Sequence, residues 1–129
     1  MATLSKQMVV TLKERVGALA DVTDQVKAAG VNILTLCAWV EGGLKAHLLM
    51  ITDDNDTACR AIKAKVEDCR EDEVLSLTIA NTPGALNEVA RQLAAAGIGI
   101  DLLYATAGQA SQCTVVLKTN DNKAAAKLI

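Results

Sequence analysis

The chain has 129 residues, 51% of them hydrophobic and 22% charged, with a net charge of −2. That balance excludes intrinsic disorder, which needs low hydrophobicity and high net charge, and no apolar run reaches the roughly 18 residues of a membrane-spanning helix. Aromatic residues make up only 2%, Trp39 and Tyr104 with no phenylalanine, so the chain lacks the stacking rings and basic charge of a single-stranded nucleic-acid binder.

The N-terminus has no signal-peptide core, because Ser5-Lys6-Gln7 interrupts it. Met8 to Leu12 is β-branched and apolar and reads as a strand. From Val16 to Ala29 apolar residues recur at helical spacing, and Gly30 supplies the left-handed residue that ends a helix. Val31–Val40 and Leu44–Ile51 are predicted strands joined by the turn Glu41-Gly42-Gly43. Asp53-Asp54-Asn55 reads as an N-cap for a helix over Thr57–Lys65, and Val66–Cys69 as a short fourth strand. Lys63 to Asp72 carries mixed charges and reads as a solvated linker region. The order then recurs: strand Val74–Ala80, helix Pro83–Ala96, strands Ile98–Ala107 and Ser111–Thr119, helix Asn122–Ile129.

The recurrence is a sequence repeat. At an offset of 67 residues, Gly17-Ala18-Leu19 falls on Gly84-Ala85-Leu86, Gly30 on Gly97, and Thr52 and Asn55 on Thr119 and Asn122. Without any gap, 17 of 55 pairs are identical from Met8/Leu75 to Ile62/Ile129, more than chance supplies even in an alanine-rich chain, so two homologous units are expected. The predicted class is α+β. Two ferredoxin-like βαββαβ units stand in tandem, residues 1–72 and 73–129, with antiparallel sheets and helices on one face. The second unit lacks its last strand. Either the chain is truncated there, or that sheet edge is open or covered by a neighbour.

The loop Asn81-Thr82-Pro83-Gly84-Ala85-Leu86 between a strand and a helix, followed a helix later by Gly97-Ile98-Gly99-Ile100, resembles the ACT domain, with the first unit carrying Gly30-Val31-Asn32-Ile33 at the second element. The resemblance covers nearly the whole chain as two copies. It implies a small-molecule sensing module, mostly for amino acids, attached to or partnered with a metabolic enzyme. The copies depart from the pattern in opposite ways: Glu14-Arg15-Val16-Gly17 lacks the loop Asn and Pro, and Gly99 replaces the strand Asn.

A helix N-terminus binds a carboxylate through unpaired N–H groups. Pro83 is expected at the first helical position, Gly84 allows close approach, and the N–H groups of Gly84, Ala85 and Leu86 are the expected donors. Asn81, Asn32 or a loop carbonyl would accept from an ammonium group, and Asp101 is a further candidate. ACT domains commonly pair through their second strands with ligand in the seam. That resemblance implies one competent site per pair of units, joining the Asn81 loop to Asn32, whether the pairing is within or between chains.

Each motif has a plainer reading. Thr82-Pro83-Gly84 makes a good turn, and Asn81 and Asn32 serve as turn residues. Asp53 to Asp56 resembles a calcium loop but has Ala58 and Ala64 where that loop needs Gly and Glu. His47 has no acidic partner nearby in sequence and is expected as a packed or surface histidine. Cys37, Cys59, Cys69 and Cys113 have no C-x-x-C spacing and, without an export signal, are expected as reduced thiols packed as small hydrophobes. No metal, cofactor or catalytic set assembles. The expected function is a cytoplasmic, non-catalytic regulatory module. It binds an amino acid or similar small carboxylate, forms a homo-oligomer and modulates an enzyme or transporter, without nucleic acid or membrane. The alternative is a ligand-free structural adaptor.

Overall fold

The computed structural model describes every residue, Met1–Ile129. The elements are β1 (Thr3–Lys13), α1 (Ala18–Ala28), β2 (Ile33–Glu41), β3 (Lys45–Thr52), α2 (Asn55–Ile62), a 3₁₀ turn (Lys63–Lys65), β4 (Asp68–Ala80), α3 (Ala85–Ala95), β5 (Ile100–Ala107), β6 (Gln112–Thr119) and α4 (Asn122–Ala126). The strands follow the hydrogen-bonded order β2-β3-β1-β4-β6-β5, with helices on one face. No helix is long and apolar enough to cross a membrane.

The chain divides into two compact units, Gln7–Asp72 and Glu73–Ile129 together with Met1–Lys6. In the first, alternate residues of β1 face the core, and their cross-strand partners do the same: Met8 opposite Met50, Val10 opposite Leu48, Leu12 opposite Ala46. Such facing apolar pairs are the unit of sheet stabilisation. Val22 and Val26 of α1 and Ala58 and Ile62 of α2 close this core from the helix side. In the other unit Leu75 lies opposite Leu117 and Leu77 opposite Val115, covered by Val89 and Leu93 of α3 and Ala125 of α4.

The local joints recur at the 67-residue offset. Asn55 Oδ1 accepts from the Thr52 N–H at 3.0 Å and its hydroxyl at 2.7 Å; Asn122 Oδ1 does the same for Thr119, at 2.9 Å each. Asp54 caps α2 through the Thr57 N–H, and Asp121 caps α4 through the Ala124 N–H. At the end of α3, Gly97 at φ +71° lets the Gly97 N–H reach the Ala94 carbonyl and the Ile98 N–H reach the Leu93 carbonyl, the bond pair of a left-handed helix stop.

Two expectations need correction. Residues 66–72 do not form a short strand followed by a linker. Asp68–Asp72 and Glu73–Ala80 are one continuous strand. Its charged N-terminal half belongs to the Gln7–Asp72 unit, where Arg70 and Asp72, two apart and so on one face, pair at 3.3 Å. β6 pairs with β4 only from Leu75 to Ala80, so Asp68–Asp72 lies beyond that pairing, and charges suit a stretch that must resist pairing with strangers. Secondly, the edge left by the second unit's missing last strand is filled. β1 begins at Thr3 rather than Met8 and borders β4. Ala2 donates to the Ile129 carbonyl at 2.8 Å and is buried among Leu75, Leu93 and Ala125, and the Thr3 hydroxyl approaches the Ser76 carbonyl. The first residues of the chain thus pack with Glu73–Ile129 rather than with the unit that follows them.

Candidate functional site

In the Glu73–Ile129 unit β4 runs into the loop Asn81-Thr82-Pro83-Gly84, and α3 starts at Ala85 with Gly84 as its cap at φ +87°. Only glycine adopts that conformation without strain. Pro83 therefore lies before the cap and not at the first helical position. Its rigid φ helps shape the tight turn in which Ala85 N–H donates to the Thr82 carbonyl at 3.3 Å. That bond occupies one of the three expected donors, Ala85. The N–H groups of Leu86 and Asn87 lie in the first turn, ahead of the first intrahelical bond from Glu88 N–H to the Gly84 carbonyl.

A cleft of about 510 Å³ opens beside this loop. Thr82, Pro83, Gly84 and Ala85 line it, with Ile79 and Val89 as its apolar floor. Glu88 and Gln92 also line it, and sequence reasoning missed both. They lie four and eight residues beyond Gly84, and that spacing is the available signal, since residues four apart share a helix face. Asn81 and Leu86 do not line the cleft. The Asn81 side-chain amide donates to the Ala110 carbonyl at 3.3 Å and its backbone N–H to the Ser111 carbonyl at 2.9 Å, so this residue ties the loop to the β5–β6 turn and keeps its amide oxygen as an acceptor.

In the other unit Asn32 precedes β2. Its N–H donates to Asp53 Oδ1 at 3.0 Å and its carbonyl accepts from the Asp53 N–H at 3.1 Å, which leaves the exposed side chain out of the link. Gly99 and Asn120 repeat these two bonds before β5. Asp101 is exposed, at the register shift where β5 joins β6.

β2 borders only β3, and β5 borders only β6. The β2 edge carries exposed apolar side chains: Leu34, Leu36, Val40 and Trp39, the last 44% exposed. Trp39 stacks on His47 with ring centroids 5.2 Å apart. His47 does have an acidic partner, Glu41 at 3.1 Å, brought close by the β2–β3 hairpin, and its other ring nitrogen lies 3.4 Å from the Thr11 hydroxyl. The cysteines also depart from expectation. Cys37 and Cys113 are free, but Cys59 and Cys69 are joined in a disulfide because the return of the chain from α2 into β4 brings their Cα atoms to 6.1 Å.

No protein-family model and no curated protein matches the chain. Among solved structures it is similar to protein BT0572 from Bacteroides thetaiotaomicron, with a TM-score of 0.89, 26% identity, and coverage of 98% of this chain and 87% of that one. It is similar to the regulatory subunit of aspartate kinase from Thermus thermophilus, with a TM-score of 0.73, 15% identity, and coverage of 98% and 93%. Clostridium acetobutylicum aspartate kinase matches with a TM-score of 0.66 and 16% identity, over 99% of this chain but 33% of that one. At the latter two identities the likeness is one of fold. The chain therefore carries an ACT-like fold, a ferredoxin-like α+β sheet of the kind found in the regulatory subunit of aspartate kinase.

Proposed function

We propose that this protein is a non-catalytic regulatory module of the cytoplasm. It binds an amino acid or similar small carboxylate and modulates a metabolic enzyme or transporter. The observation that carries the reading is the Thr82–Ala85 loop opening onto the cleft with Glu88 and Gln92 on its wall. The first-turn N–H groups of α3 favour a carboxylate. The Glu88 carboxylate, about one helical turn along, favours an ammonium group. A zwitterion presents both charges at that scale. The likeness to an aspartate kinase regulatory subunit supports a regulatory role.

The second half of the site comes from another copy of the chain. β2 and β5 are both sheet edges, so β2 of one copy can border β5 of the next, bringing Asn32 to the Asn81 loop, with Asp101 near the same seam. The repeated asymmetry makes this one competent site per chain. Calorimetric titration with an amino-acid panel tests the reading. One ligand should bind once per chain, and the Asn81→Ala/Asn32→Ala variant should weaken it at least tenfold. Two equal sites per chain would contradict the asymmetry, and unchanged binding by the variant would remove these residues from the site. A second reading is a ligand-free adaptor, favoured by the exposed apolar β2 edge. A panel that leaves the melting temperature unmoved, with a stable oligomer, selects it.

A further inference from the structure

Cys59 on α2 and Cys69 near the start of β4 are bonded to each other, and both are only partly buried. Together they form part of the wall of a cleft of about 310 Å³, which Arg60, Lys63, Val66, Glu67 and Asp68 complete. The charges of this cleft are unevenly committed. Glu67 pairs with Lys45 at 3.1 Å. Arg60 donates to the Thr57 hydroxyl at 3.3 Å and its charge also acts on the Asp54 carboxylate, but neither Arg60 nor Lys63 forms a salt bridge. The Cys59 side of the cleft thus presents two cations, and the Cys69 side has Asp68. Ala126 stands where the 67-residue offset places the counterpart of Cys59, so this feature belongs to the Gln7–Asp72 unit alone.

We propose that this cleft is a thiol–disulfide exchange site for a small anionic thiol of the glutathione class, whose carboxylates dock against Arg60 and Lys63. The thiolate of the reagent attacks Cys59 Sγ. A new S–S bond forms between reagent and Cys59, the Cys59–Cys69 bond breaks, and Cys69 leaves as a thiolate that takes a proton from water. A second reagent thiolate attacks the reagent sulfur of this mixed disulfide and releases Cys59, which is protonated in turn. The protein disulfide gains two electrons and becomes two thiols, while two reagent thiols become one reagent disulfide. Excess reagent disulfide drives the sequence backwards. Attack falls on Cys59 because the anion avoids Asp68 and is held by the two cations. Disulfides of reducing compartments are characteristically transient and redox-sensing. The consequence here is that α2 and the 3₁₀ turn are covalently tied to β4 under one condition and released under the other.

The test incubates the oxidised full-length protein anaerobically with glutathione or with neutral 2-mercaptoethanol, quenches with acid, and follows intact mass and free thiols. One glutathione adduct on Cys59 should precede full reduction, and the Cys59→Ser/Cys69→Ser variant should take none, although Cys37 and Cys113 remain. In Arg60→Gln/Lys63→Gln the glutathione rate should fall about tenfold, the lower end of electrostatic enrichment in a charged cleft, with the 2-mercaptoethanol rate within twofold of the parent. Rising salt should reduce the ratio of the two rates in the parent protein, which checks the proposal without a variant. An unchanged ratio in both tests, an adduct on Cys69, or a disulfide that glutathione leaves intact in the folded protein overturns it.

Discussion

Reduction of the Cys59–Cys69 bond perturbs stability in a way that its position makes calculable. The two cysteines are 10 residues apart in sequence. Closing a loop of that size removes about 9 cal/mol/K from the unfolded chain, or about 2.7 kcal/mol at 25 °C. The folded state loses little else. Ala58 and Ile62, both fully buried, still hold α2 against β1 and β3, and β4 keeps its place beside β1. The loss therefore falls on the Gln7–Asp72 unit, which also contains the only tryptophan, Trp39. Urea unfolding followed by Trp39 fluorescence, with and without a strong reductant, measures it. The melting temperature should drop by roughly 10 °C, at about 4 °C per kcal/mol for a chain of this size. The Cys59→Ser/Cys69→Ser variant should unfold like the reduced protein and ignore the reductant. If oxidised and reduced protein differ by less than about 0.5 kcal/mol, loop closure is not what the bond contributes.

Other perturbations address the remaining features. Deleting residues 2–6 removes the strand that borders β4 and exposes the cluster around Leu75 and Leu93. With each lost backbone bond contributing about 0.5–1.5 kcal/mol, urea unfolding should register a loss of about 2–4 kcal/mol, and an unaltered midpoint would show that those residues do not complete the sheet. Gly84→Ala places a Cβ at φ +87°, where no atom clashes but the backbone itself is strained. A cost of about 1–2 kcal/mol is expected, together with weaker ligand binding in the calorimetric titration. The Thr57 hydroxyl and N–H, both donating to Asp54, hold its carboxyl below the ordinary carboxylate range. A lowered folded value means that this stabilisation is present at neutral pH and lost as pH falls through it. Asp54→Asn should therefore flatten the acid side of a stability–pH profile, and a parallel acid limb in parent and variant argues against the cap. Oligomer formation through β2 should shift Trp39 emission to the blue as protein concentration rises, and a spectrum independent of concentration in a chain that self-associates would place the contact elsewhere.

Much of this architecture is written in short stretches of sequence. The cap at Asp54 and the helix stop at Gly30 depend on partners within a few residues, so local sequence predicts them, and the structure repeats both at Asp121 and Gly97. The 67-residue match predicts the paired cores in the same way, because the residues that fill them alternate or recur at helical spacing. The candidate loop is legible only in part. Thr82, Pro83, Gly84 and Ala85 do line a cleft, but Asn81 turns to Ala110 and the helix begins after Pro83 rather than at it.

Tertiary structure decided the rest, for one physical reason: the partners are far apart in sequence, and a local pattern does not encode which strand lies beside which. Val66–Cys69 read as a short strand and Lys63 to Asp72 as a mixed-charge linker region, yet backbone pairing carries one strand from Asp68 through to Ala80. Nothing in Thr3-Leu4-Ser5-Lys6 identifies it as the strand that borders β4. The hairpin that carries Glu41 to His47, and the turn from α2 into β4 that joins Cys59 to Cys69, are likewise products of the folded chain. By itself the sequence determined the α+β class and a strand–helix order that recurs at a 67-residue offset. The folded chain determined that β2 borders only β3 and β5 only β6, because strand neighbours are chosen by contacts far apart in sequence.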